Sequence, residues 1–170
     1  STQNQTASSV NTAYLISYNN TDANSTGVSI VSNTQVTFAY QGVYSITFSI
    51  QFANSDTQLH DVNVWLKLNG TNVAATDSRF SVPNSHGGAD GHTIGTVNFV
   101  IELQANDYIE LAWATDDTAV SLQYIGASSP APSIPSVILT ATQVTYTQVG
   151  PQGNQGAQGA QGSQGAQGNT

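Results

Sequence analysis

The sequence predicts an all-β domain, a sandwich or jelly roll, followed by a collagen-like tail. Three observations carry this. Apolar and polar residues alternate in segments 43–52 and 61–68, the period of a strand with one buried face. Turn signals separate such segments at short intervals, and no segment has a convincing helical period. From Gly150 onward glycine occupies every third position.

The elements follow in order. Segments 12–18 and 35–40 are expected strands, with a short one near 28–31. In 43–52, Tyr44, Ile46, Phe48, Ile50 and Phe52 share one face, and Val43, Ser45, Thr47, Ser49 and Gln51 the other. In 61–68, Val62, Val64, Leu66 and Leu68 face inward, opposite Asp61, Asn63, Trp65 and Lys67. Asn69-Gly70 then accepts positive φ at both central turn positions, the type I′ hairpin signal, so 73–82 is expected to be the returning strand. Segment 93–103 turns Val97, Phe99, Ile101 and Leu103 inward. Asn106-Asp107 makes a tight turn into 108–113, where Ile109, Leu111 and Trp113 alternate with Tyr108, Glu110 and Ala112. A turn at 115–117 leads to 119–125. After a loop containing Pro130, Pro132 and Pro135, segment 136–147 is the last strand. The total is about eight to ten short strands, which is the number that sandwiches and jelly rolls use.

The tail obeys different physics. Gly150, Gly153, Gly156, Gly159, Gly162, Gly165 and Gly168 open seven consecutive triplets. Strict period three is what a collagen triple helix requires, because only glycine fits where three chains crowd the axis. A flexible Gly/Gln linker has no reason to keep an unbroken register. Only Pro151 stiffens the run, so the helix is weak by itself and needs a trimeriser to set its register. At roughly 3 Å per residue it spans about 60 Å. The organisation is then a polar arm over 1–8, a head over 9–149 and a stalk over 150–170.

Composition bounds the function. Ten acids face only Lys67 and Arg79, a net charge of −8. So few cations argue against binding nucleic acid or an anionic membrane. Charged residues are 7% of the chain, against about 25% in ordinary domains, and Asn, Gln, Ser and Thr take their place. That kind of surface is common on extracellular and virion proteins. There is no cysteine, and no apolar run approaches the roughly 18 residues of a membrane span. The opening residues 1–11 are polar and uncharged, unlike a signal peptide. An end in mid-repeat at Gly168-Asn169-Thr170 is expected of a piece of something longer.

Three stretches carry a resemblance. Gly42-Val43-Tyr44-Ser45-Ile46-Thr47-Phe48 resembles the G-x-Y-x-F-x-aromatic strand of complement first-component globular heads and the wider tumour-necrosis-factor-like jelly rolls. Val64-Trp65-Leu66-Lys67-Leu68-Asn69-Gly70 is similar to that family's V-x-L-x-x-N-G hairpin. Leu103-Gln104-Ala105-Asn106-Asp107-Tyr108-Ile109-Glu110-Leu111 is similar to its L-x-x-G-D-x-V-x-L turn, with Asn106 in the glycine position. The resemblance implies a ten-stranded jelly roll forming a compact homotrimer. Two features depart from the animal proteins. Here the triplets follow the head, and Ile134-Pro135-Ser136-Val137-Ile138-Leu139 replaces the closing aromatic-Gly-aromatic strand. With no cysteine, a Gln-rich triplet repeat placed after the head and an Asn/Thr-rich surface, the chain looks more like virion proteins of bacterial viruses, in which such heads and short collagen runs serve as fibres, tail parts or capsid decorations.

Candidate sites are few. Glu102 and Glu110 read as solvated residues on outward faces rather than a hydrolytic pair. There is no G-x-S-x-G elbow, so no enzyme is expected. His86, Asp90 and His92 lie in a glycine-rich loop at 83–92, read as a mobile recognition loop rather than a metal site. Asp116-Asp117 is a weak Ca²⁺ candidate, raised by relatives that bind Ca²⁺ near their trimer axis, and no other cofactor is expected. Trp65 and Tyr108 fall on outward faces and, with Tyr40 and Tyr124, are the candidates for a trimer interface. The sequons at Asn4, Asn19, Asn24 and Asn69 are what chance gives so Asn- and Thr-rich a chain.

The function expected is structural: a trimeric node carrying a stalk on a virion surface, in contact with itself and other virion proteins. The rival readings are a host-receptor- or glycan-binding tip, with loops 53–60 and 83–92 as contacts, and a bacterial or spore surface filament protein.

Overall fold

A computed structural model describes residues 1–144, and within them every regular element is a strand. In chain order these are β1 (Gln5–Thr6), β2 (Tyr14–Leu15), β3 (Val28–Val31), β4 (Gln35–Phe38), β5 (Gly42–Asn54) and β6 (His60–Leu68). They continue with β7 (Thr71–Asn72), β8 (Ser78–Val82), β9 (Gly91–Leu103), β10 (Tyr108–Thr115), β11 (Val120–Leu122) and β12 (Val137–Val144).

The strands form two antiparallel sheets, as the alternating pattern requires. In the first, β5 is the spine. β9 pairs with it from Gly42↔Leu103 to Asn54↔Gly91. Its other edge is shared, with β12 against Val43–Ile50, β11 against Phe52–Asn54, and β1 beyond β11. The second sheet runs β3-β4-β10-β6, with β7 and β8 following one another along the far edge of β6. β2 shares the β4 side of β10.

The core lies between the sheets. Tyr44, Ile46, Phe48, Ile50 and Phe52 from β5 meet Val62, Val64 and Leu66 from β6 and Ile109, Leu111 and Trp113 from β10. Each such side chain contributes about 1.5–3 kcal/mol by leaving water. The inward faces read from the sequence are therefore the observed ones for these three strands. Asn69-Gly70 turns with φ of 48° and 79°, as a type I′ hairpin must, and Asn106 takes the left-handed conformation at 69°.

Three local expectations are corrected. The returning strand at 73–82 is broken into β7 and β8. Lys67 faces Asn72 while Val64 faces Ser78, so six steps on the return side answer three on β6. Thr76 holds the bulge, its hydroxyl accepting from the Leu66 amide at 3.1 Å and donating to the Val73 carbonyl at 2.8 Å. Glu110, expected on a solvated face, is only 5% exposed. β10 is central in its sheet, so its outer face is flanked by Lys67 on β6 and by Thr34, whose hydroxyl donates to the Glu110 carboxylate at 3.1 Å. Finally, the glycine-rich loop is shorter than expected, because β9 begins at Gly91 and Gly87-Gly88 makes a tight turn with His86 bridged to Ala89.

The two outer faces differ. Over β12, β5 and β9 the first sheet presents Ser, Thr, Asn, Gln, Val and Ile, with no charge between His92 at one end and Glu102 at the other. Ile94, Val100, Ile138 and Val144 stand there 64%, 66%, 53% and 45% exposed. The outer face of the second sheet carries Asp61, Lys67 and Arg79.

Candidate functional site

A groove of about 440 Å³ lies on the outer face of the second sheet, over Trp65. Strand alternation puts Asp61, Asn63 and Trp65 of β6 side by side on this face, and pairing with β8 sets Arg79 opposite Asn63. The bulge between β7 and β8 supplies the wall, with Val73, Ala75 and Asp77 among the lining residues. Ala75 takes a φ of 60° to make the bend.

The polar groups are tied to one another. Asn72 Oδ1 accepts from the Trp65 indole N–H at 2.9 Å. Asn63 donates to Asp77 at 2.7 Å and accepts from Arg79 Nε at 3.3 Å. Arg79 lies 3.7 Å from the Asp61 carboxylate, which also accepts from Ser81 at 2.6 Å.

A second constellation sits at one end of the sandwich. His60 Nε2 is 2.9 Å from Asp56 Oδ2 and 3.8 Å from Asp117 Oδ2, and Nδ1 is 3.3 Å from Asp116 Oδ1. The hydrogen bond to Asp56 holds the imidazole above its ordinary value, opposed by desolvation and helped by the charges of Asp117 and Asp116. The same bond from His60 lowers the Asp56 carboxyl. Buried Asn54 shapes the loop that carries Asp56, donating to the Gln58 carbonyl at 2.8 Å and accepting from the Asp56 amide at 2.9 Å. Asp56, His60 and Asp117 each offer one atom within 4.8 Å of the others, and among the described residues they are the group able to hold a metal ion.

The residues singled out from the sequence are spread over the molecule. Trp65 and Tyr108 are half-buried on β6 and β10, as their alternation implied. Tyr40 is exposed in the turn between β4 and β5, its ring packed over Gly27. Tyr124 follows β11, where its amide donates to Asn4 Oδ1 at 2.7 Å. His86 is exposed at the Gly87-Gly88 turn. His92 Nε2 instead meets Gln123 Oε1 at 2.8 Å, and Gln123 reaches Asp90 at 3.4 Å. Thus His86, Asp90 and His92 form no common ligand set. Glu102 and Glu110 belong to different sheets and form no pair. The seven triplet glycines lie outside the described residues.

Sequence reasoning missed both constellations. Asp56 is four residues from His60, but Asp116 and Asp117 lie far along the chain and reach it only because Thr115 pairs with Val62. Nothing in the sequence around Asp116-Asp117 names His60 as their partner. The groove depends on the bulge at 73–77, which the hairpin signal conceals.

No protein-family model matches the chain, and no curated protein matches it.

Proposed function

We propose that the chain is a non-enzymatic structural module of a virion surface: a trimeric jelly-roll node that sets the register of the collagen-like stalk following it. One observation carries this reading. Between His92 and Glu102 the outer face of the first sheet is uncharged across β12, β5 and β9, bears four exposed aliphatic side chains, and includes β12, the strand that leads towards Gly150.

Such a patch is a liability on a free monomer and an asset in an assembly. Three copies packed through this face bring three β12 ends together, the arrangement that seven proline-poor triplets need. The occupant of the face is therefore two further copies of the same chain. The jelly-roll reading, and with it the likeness to complement-type heads, is supported by the path of the chain. It passes between sheets at β1–β2, β4–β5, β5–β6, β8–β9, β9–β10 and β10–β11, as a jelly roll does and a meander does not. Assignment to a bacterial virus rests on the resemblance and on the position of the triplets.

The test is to place charge on the face. Val100→Asp and Ile138→Asp alter exposed positions, so far-ultraviolet circular dichroism is expected to stay unchanged while sedimentation velocity reports monomers. Variants that sediment like the parent would show that the copies meet elsewhere.

A further inference from the structure

We propose that the groove over Trp65 binds an uncharged saccharide. The inference goes beyond the structural role, and it concerns the sheet facing away from the surface assigned to self-association. Its volume, about 440 Å³, falls in the range of roughly 300–1,000 Å³ usual for small-ligand sites.

A sugar ring has apolar C–H faces and a rim of hydroxyls that both donate and accept. The groove offers complements to both. Trp65 supplies a flat apolar surface, and Asn72 holds its N–H at 2.9 Å, which fixes the ring. Val73 and Ala75 extend the apolar part of the wall. Around this platform donors and acceptors alternate. Asp77 and Asp61 keep carboxylate lone pairs beyond those their hydrogen bonds engage, and the Asn72 amide and the exposed Arg79 guanidinium are rich in N–H groups. The Asp77–Asn63–Arg79 network holds these groups in place before a ligand arrives, reducing the ordering cost of binding.

Charge narrows the class. Three carboxylates (Asp61, Asp77 and Asp116) line the groove against one guanidinium, so sialylated, sulfated or phosphorylated sugars are repelled. The same carboxylates would attract a basic peptide, and an oligolysine control tests that alternative. The wall exists only because the hairpin departs from regular pairing, with the backbone bent at Ala75 and the ladder mended by Thr76. That departure is what carries Asp77 to the Asn63 amide.

Trp113 is 1% exposed, so acrylamide quenching of the intact chain reads Trp65. The titrants are neutral oligosaccharides of glucose, galactose, mannose and N-acetylglucosamine, with a sialylated oligosaccharide and an oligolysine peptide as charged controls. At least one neutral sugar is expected to shield Trp65 at millimolar concentration. Asp77→Ala, at an exposed position, is expected to weaken that binding about tenfold, as loss of a hydrogen bond to a charged group does. The proposal is overturned if every neutral sugar leaves the quenching unchanged. It is equally overturned if the charged controls bind better, or if Asp77→Ala (read by quenching) and Trp65→Phe (read by titration calorimetry, since it lacks the fluorescent probe) bind as the parent does. Each outcome can be read on monomeric Val100→Asp protein as well, separating it from the question of self-association.

Discussion

At the scale of single residues, two buried side-chain oxygens among the described residues, Ser1 Oγ and the Tyr18 hydroxyl, lack a partner, and Tyr18 is the one set in the core. The Tyr18 hydroxyl is buried without a hydrogen-bond partner, and burial pushes its pKa well above the ordinary phenol value. An unsatisfied buried hydroxyl costs about 1–3 kcal/mol, so Tyr18→Phe is expected to raise stability by about 1 kcal/mol in urea denaturation. Unchanged or lower stability would mean that the hydroxyl has a partner in solution. His60 gives a pH signature. Its folded pKa is raised, so its contribution is complete below the unfolded value of about 6.5 and is lost as pH rises through the folded one. Asp56 is lowered, so its contribution is lost as pH falls through the depressed folded value. The ion pair is therefore strongest in the window between. Thermal melts of the parent and of His60→Gln are expected to converge as pH rises from mildly acidic to alkaline. A gap that does not close would assign the stabilisation to something other than the charged imidazole. The Asp56–His60 contact is local, four residues apart, but the charges of Asp116 and Asp117 were not legible beforehand because they reach His60 only through the β6–β10 ladder.

At the scale of elements, the sequence was most readable where one face is fully buried. β5, β6 and β10 show it: five, three and three consecutive alternate residues are apolar and all are buried. Legibility fails where the environment is two-sided or where side chains replace backbone. Glu110 and Ala112 face outward by alternation, yet β10 has strands along both edges, and both residues are buried. β2 and β11 were read as longer segments and keep only two and three paired residues. The β7–β8 bulge was invisible because its stabilising contact is tertiary, the Thr76 hydroxyl taking the place of a strand partner for Leu66. Thr76→Val keeps the shape and removes that acceptor, leaving a buried amide unpaired. A loss of about 1–3 kcal/mol is expected, with amide exchange at Leu66 accelerated. Undisturbed exchange at Leu66 would mean that the bulge is held by the backbone alone.

At the scale of the whole molecule, the all-β sandwich with two antiparallel sheets is what periodicity and turn chemistry indicated. The groove was not, since it needs the bulge, the β6–β8 register and the β7 turn together. The contrast between the outer faces divides the labour proposed here: a sheet face almost without charge for self-association and a polar, acidic sheet with half-buried Trp65 lining its groove. It also ties head to tail, because short triplets with little proline depend on a partner that holds three chains in register. The most direct measurement is sedimentation equilibrium of the 170-residue chain over a wide concentration range. Three chain masses are expected, falling to one in Val100→Asp. A parent chain that remains a single copy at every concentration would contradict the central claim.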